Sequence, residues 1–574
     1  MQDWESALLA RFASDEGWRL VEAFARQKRC LPDEVEKGAG IIATMLRDCG
    51  IEPVIHNPSI YLGIPISAMI TGAGIRIEGK ASALSPAVDG LTAPLLHLKA
   101  RPSLQGHHPG DAASLFEQAF PSHVEACAAV SGKIVLTEGL SNPARTQLLQ
   151  SWGASAVIVI NPGDRSHWGT NSTIWGSPVG AQIADLPRIA SVAVSRPEGG
   201  RLEAIAEAGG AVTLAVEALH GWFSQPVVTA EIRGQGPEAA NFVLLHSHYD
   251  SWEYGVGDNA TGNAVLLEVA RAFAQNPSPF RRSVRFAWWP GHSAGRYAGS
   301  AWYADAFGPD LARNCVAHVN CDSPGCKDAT SYASIRGMVE AAPLIQGTVR
   351  DLFLQDCDVT RPGRAGDYSF NNLGISGAML TSSMVPKEER DRRGWYAVGG
   401  CGGSPAWHSE FDTIEVAQRE ILENDIRLYG LLTARLANEE LIPLDYCRTL
   451  AELRAHLDSL AEGRLCIADA TAINAGLISA EDQLKRATTV QTVTAQTLNN
   501  CLIRLSRSLV RLNYVNGASH QQDPAYAIAP FPSLAGITPS DSDRSRDDAI
   551  LTLRARNSIK LTIDEIVRTM AALK

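Results

Sequence analysis

Three apolar runs, NFVLLHSHYD, SVRFAWWPG and CVAHVNCD, constrain this chain more than any other feature. Each is too short for a helix of ordinary length and apolar at nearly every position rather than at alternate ones. That pattern belongs to strands covered on both faces. GNAVLLEVARAFAQN, between the first two runs, carries apolar residues at helical spacing. The alternation predicts an α/β domain with a doubly wound mixed sheet, in which chemically active groups collect at the C-terminal ends of the strands.

The flanking texture differs. Residues from about 4 to 50 read as two amphipathic helices. From 115 to 225, short β-branched runs such as GKIVLTEG and ASAVIVINPG end in Gly, Asn or Pro and predict a small inserted α/β domain. After 436 the pattern is helical, broken by a polar, Pro-containing stretch near 517–547. The expected division is therefore 1–114 with 226–435 for the main domain, 115–225 for the insert, and 436–574 for a helical domain.

A net charge of -11 argues against a nucleic-acid binder, which needs a basic face to meet phosphate. No apolar run approaches the ~20 residues of a membrane helix. The N-terminal MQDWESALLARFASDEGW lacks the basic and apolar regions of a secretory leader. The eleven cysteines follow no paired spacing, which fits reduced thiols. A cytoplasmic protein with no membrane partner is the expectation.

His and Asp residues recur where the apolar runs stop. His248 and Asp250 close the first, on one side of an extended chain, and Asp250 is spaced to receive the second N–H of a metal-binding His248. Asp258 follows in the loop GVGDNATG, His292 in PGHS, Asp322 in NCD and His408 in AWHSEFDT, with Asp412 behind it. One such residue at a strand end is ordinarily structural. An ordered set of six in one α/β domain points to a divalent metal, and imidazole with carboxylate suits zinc, with manganese, iron or cobalt as alternatives.

HYDSWEYGVGDNATG, VNCDSPG, GDYSFNNLGIS and WHSEFDT together resemble the motifs of the zinc aminopeptidases that share a fold with glutamate carboxypeptidase and the transferrin receptor. The insert is similar to that family's protease-associated domain, and the helical C-terminus to its dimerisation domain, implying a homodimer. The resemblance implies that Asp258 bridges two metals, that His248 and Asp322 complete one site, that His408 serves the other, and that Asp250 orients His248.

The chain departs from the family where two adjacent glutamates, a general base and a metal ligand, normally follow the FAWW strand. Here the sequence is PGHSAGRYAGS, and no glutamate occurs between Arg281 and Asp305. Three readings stay open. His292 replaces the lost ligand, in a second site with Asp258 and His408. His292 acts as base. Or one metal remains at His248, Asp258 and Asp322. The coordination gap beside His408 favours the ligand role; Glu253 and Glu410 are spare carboxylates near the metal motifs. Of the remaining features, Trp152, Trp168 and Trp175 are candidates for a cleft wall, Trp395, Tyr396 and VGGCGGSPAW for a lid, and His246 for a strand residue beside the site. The expected function is hydrolysis of a C–N bond in a short peptide or small-molecule amide, with one or two metals per chain. A non-catalytic, receptor-like scaffold and a specialised amide hydrolase that never acts on peptides are the alternatives.

Overall fold

A computed structural model describes the chain except residues 102–115, 277, 380, 382, 462–466, 491–492, 526–528, 536–544 and 572–574. The expected boundary at 114/115 and much of the polar stretch near 517–547 lie outside the described residues.

Among the described residues six strands form the central sheet: β1 (Val54–His56), then, after the barrel strands below, β9 (Val227–Ile232), β10 (Phe242–His248), β11 (Ser283–Trp289), β12 (Cys315–Asn320) and β15 (Ser376–Met379). Their order is β1-β9-β11-β10-β12-β15. β11, β10, β12 and β15 run parallel, whereas β9 pairs antiparallel with β11, and β1 antiparallel with β9. The mixed sheet is as expected, and the three apolar runs are β10, β11 and β12. All seven residues of β10 are buried. Val243 and Leu245 pack on one face with Val265 and Val269 of the helix Thr261–Ala274, while Phe242 and Leu244 pack on the other with Tyr303 and Leu311. Each such side chain contributes about 1.5–3 kcal/mol, which is why an apolar residue is retained at both parities. Two further short strands, β13 (Ser334–Arg336) and β14 (Asp358–Thr360), pair with each other in parallel.

The insert is a closed seven-strand barrel of β2 (Ser59–Gly72), β3 (Ile75–Ala81), β4 (Val88–His97), β5 (Ile134–Glu138), β6 (Ala156–Ile160), β7 (Ala190–Val194) and β8 (Ala211–Ser224). This moves the start of the insert from 115 back to Ser59. β2 pairs along nearly its whole length with β8 and β8 in turn with β4, so a division at 115 would cut a hydrogen-bonded barrel. The N-terminal region holds three helices, Asp3–Leu9, Asp15–Phe24 and Pro32–Asp48, rather than two. After the helix Arg419–Asn438 come the helices Tyr446–Ala461, Ile467–Val490, Ala495–Tyr514, Pro532–Ala535 and Ser545–Ala571. Their apolar faces join the same core as the sheet. No described helix is long and apolar enough to cross a membrane.

Candidate metal centre

The C-terminal ends of β10, β11 and β12 deliver His248, His292 and Asp322, and one donor atom from each lies within 4.8 Å of the others. Asp258 sits in the turn that opens the helix Thr261–Ala274. Its Oδ1 is 3.0 Å from His248 Nε2 and its Oδ2 is 3.2 Å from His408 Nε2. Asp322 Oδ2 lies 3.8 Å from the same His248 Nε2. His248 Nε2 is buried, and despite its closeness to Asp258 it has no hydrogen-bond partner. A buried nitrogen and two carboxylates converging without hydrogen-bond direction fit a shared cation. Nitrogen and oxygen donors of this kind suit zinc.

The charges respond accordingly. Burial opposes ionisation of Asp258, but His248 and His408 hold its carboxyl well below the usual range. Burial and the Asp258 charge push Asp322 up to about 6. Burial works against charging His248, yet Asp258 and Asp322 raise it to about 10. The cluster holds excess negative charge in a dry place, which a metal would offset.

His408 is held from outside the sheet. The carbonyl of Trp168, in the barrel loop between β6 and β7, accepts from His408 Nδ1 at 3.0 Å, and Trp168 N donates back to the His408 carbonyl at 2.8 Å. His167 Nδ1 is 2.6 Å from the Trp407 carbonyl and its Nε2 is 2.6 Å from Tyr396 Oη. Burial pushes His167 down to about 4, so the ring is neutral at pH 7. Asp412 accepts from the backbone N–H of Gly257 and Asp258 at 2.6 and 2.9 Å. A Cβ on Gly257 would come within 3.0 Å of Asp412 Oδ1 and 2.8 Å of Cys401 Sγ, so glycine is needed for that approach.

Two expectations change here. Asp250 orients His248 through its backbone carbonyl, 3.0 Å from Nδ1; its carboxylate is 3.8 Å away. That carboxylate instead accepts from the backbone N–H of His292 and Ser293, both at 3.0 Å, tying the end of β10 to the turn after β11. His292 groups with His248 and Asp322, not with the His408 half where a replacement for the lost glutamate was expected. Its ring stacks on His248 with centroids 3.7 Å apart, and its Nδ1 is 2.7 Å from Asp367 Oδ2. The turn enters that position through Gly291, at φ +68, where a Cβ would strike Ile60 of β2 at 2.8 Å.

The spare carboxylates are committed elsewhere: Glu253 to Lys28 and the Trp168 indole N–H, Glu410 to Lys80. His246 is buried, 3.0 Å from His318. Trp168 stacks on Trp252 and Trp407 on His408, and these rings with Arg296 and Arg336 line the cleft over the cluster, which encloses about 130 Å³. Trp152 is core packing, and Trp175 is buried beside Tyr297. Trp395 packs against the small apolar cluster that includes Val385 and Cys401, and Tyr396 makes the bond to His167. Ten cysteines among the described residues are free. A second trio, His97, Glu138 and Glu203, lies in the barrel, where Arg196 already pairs with Glu203.

Within the GDYSFN segment no local feature marks Asp367 for a role. Its partner, 75 positions away, is identifiable only once the turn after β11 is placed.

Residues 227–428 match the family model described as Peptidase family M28. A probable glutamate carboxypeptidase of Zea mays, VP8, is 25% identical over 246 residues, spanning 40% of this chain and 33% of that protein. Transferrin receptor protein 2 of Mus musculus is 22% identical over 249 residues, spanning 39% and 30%. The chain thus covers about a third of the length of these curated relatives. A solved zinc aminopeptidase of Bacillus subtilis superposes with a TM-score of 0.55 at 19% identity, over 75% of this chain and 96% of its own.

Proposed function

From the match of residues 227–428 to the model of peptidase family M28, we propose that the chain is a metal-dependent hydrolase of C–N bonds in short peptides or small amides. The observation that carries this reading is Asp258, whose two oxygens face His248 Nε2 and His408 Nε2. The proposed donors are His248, Asp258, Asp322 and His408, with His292 added beside His248 and Asp322. Zinc is the first candidate, one or two ions per chain, ahead of manganese, iron or cobalt. Bound metal of this kind supplies Lewis acidity to a carbonyl oxygen and lowers the pKa of water.

The chain's own residues then have definite tasks. Asp258 joins the two halves of the cluster, and Asp412 fixes the Asp258 backbone. Trp168, Trp252 and Trp407 keep the cleft apolar, which strengthens every polar contact made inside it. The insert is read as protease-associated-like and the helices after 436 as a homodimerisation surface. Light scattering of the full chain tests the second point, a monomer mass at micromolar concentration removing it.

Metal analysis of purified protein tests the main reading. About one equivalent or more of transition metal is expected, reduced at least tenfold in Asp258→Ala. Less than about half an equivalent in wild type removes it. The absence of glutamate between Arg281 and Asp305 supports a second reading, a metal-loaded but non-catalytic scaffold. Chelator-sensitive turnover of any amide excludes that one, and turnover confined to non-peptide amides would identify the specialised hydrolase.

A further inference from the structure

The altered turn after β11 has a built support of its own. Asp367 is fully buried and uses both oxygens: Oδ2 is 2.7 Å from His292 Nδ1, and Oδ1 accepts from Ser300 Oγ at 2.5 Å. Ser300 Oγ lies 2.8 Å from Ser369 Oγ, which accepts from the Trp175 indole N–H at 2.7 Å. Trp175 belongs to the same barrel loop as Trp168. Its ring stacks on Tyr297 at 4.1 Å, and Tyr297 meets the His292 ring edge-on at 4.8 Å. Asp367 itself sits at φ +37, a left-handed backbone region that a residue other than glycine keeps where its surroundings hold it there.

We infer that Asp367 is a positioning residue: held through Ser300 and Ser369 by Trp175 of the barrel, it fixes His292 with Nδ1 protonated and leaves Nε2 free as the donor that His292 brings to the group with His248 and Asp322. A carboxylate only accepts, so the hydrogen bond selects the Nδ1–H tautomer. This is the carboxylate–histidine arrangement that orients an imidazole toward a metal. The role in metal binding rests on the function proposed above; the tautomer does not. With Trp168 holding His408, one loop of the barrel sets the orientation of both histidines that flank the cluster.

The test uses the full chain with ring-15N histidine, stripped by chelator, with His292 assigned from the signals lost in His292→Gln. Wild type is expected to show the Nδ1–H tautomer at His292. Asp367→Ala is expected to lose it, and Trp175→Phe, which keeps the stack but not the donor, to weaken it. Asp367→Asn, close in shape and still an acceptor, guards against simple misfolding. An Nε2–H tautomer in wild type, or an unchanged spectrum in Asp367→Ala, overturns the inference. Titration with zinc chloride is the second readout: Asp367→Ala is expected to bind about 10- to 100-fold more weakly, with partial recovery in Asp367→Asn. Unchanged zinc affinity in the alanine variant overturns the positioning role. A wild type that takes up no zinc removes the metal reading instead, and the tautomer comparison then decides Asp367 alone.

Discussion

Asp412 shows how much a buried carboxylate can do without touching a ligand. It accepts from two consecutive backbone N–H groups, those of Gly257 and Asp258, while burial and the neighbouring Asp258 push its own pKa up to about 7. Removing the acceptor strands both donors in a dry turn, at roughly 1–3 kcal/mol each. Asp412→Ala is therefore expected to cost about 2–5 kcal/mol in urea denaturation, and Asp412→Asn less, since one acceptor remains. A loss below about 1 kcal/mol for the alanine variant would show that water replaces the carboxylate. In the sequence Asp412 stands out only as a residue behind His408, because its partners lie more than 150 positions away.

At the scale of elements, two segments hold the loops that carry the cluster. Arg29, buried between the second and third N-terminal helices, donates to the carbonyls of Tyr249, Gly255 and Phe24. It pins the 249–255 loop that follows β10 and carries Asp250. Arg29→Met leaves these carbonyls unpaired, and a loss of roughly 3 kcal/mol or more is expected in the same assay. The barrel loop grips the other side through His167. Because burial lowers its folded pKa to about 4 from about 6.5 unfolded, its contribution is complete above pH 6.5 and is lost as pH falls toward 4. His167→Gln should flatten the fall in stability between pH 6.5 and 4; an identical slope in wild type and variant would contradict this.

For the whole molecule, the core sets which parts stand or fall together. Leu428, Leu432 and Leu436 of the helix Arg419–Asn438 share a cluster with Leu450, Leu477, Leu509 and Ile563 of the C-terminal helices and with Val243 and Phe286 of the sheet. Buried Arg282 reaches Glu238 and the Leu436 and Glu439 carbonyls, and Asn499 donates to the same Glu238. A chain cut after residue 440 exposes this surface and is expected to be recovered mainly in the insoluble fraction. A soluble, monomeric truncation with a cooperative melt would show the two parts to be independent.

The sequence by itself determined β10, β11 and β12, because strands covered on both faces need apolar residues at every position, and that requirement is local. For the same reason it placed His248, Asp258, Asp322 and His408 at strand ends and loops of one sheet. Three matters waited for the tertiary structure. The β2–β4 strands join a barrel with β8 through pairings such as Thr71 with Thr213, and nothing in either strand names its partner. Asp250 turned its carboxylate to the backbone of His292 and Ser293 rather than to the His248 ring. His292 went to the His248 side and found Asp367. Burial leaves its mark on each residue in turn, whereas hydrogen-bond partners are chosen by which loops packing brings together, and no local pattern records that choice.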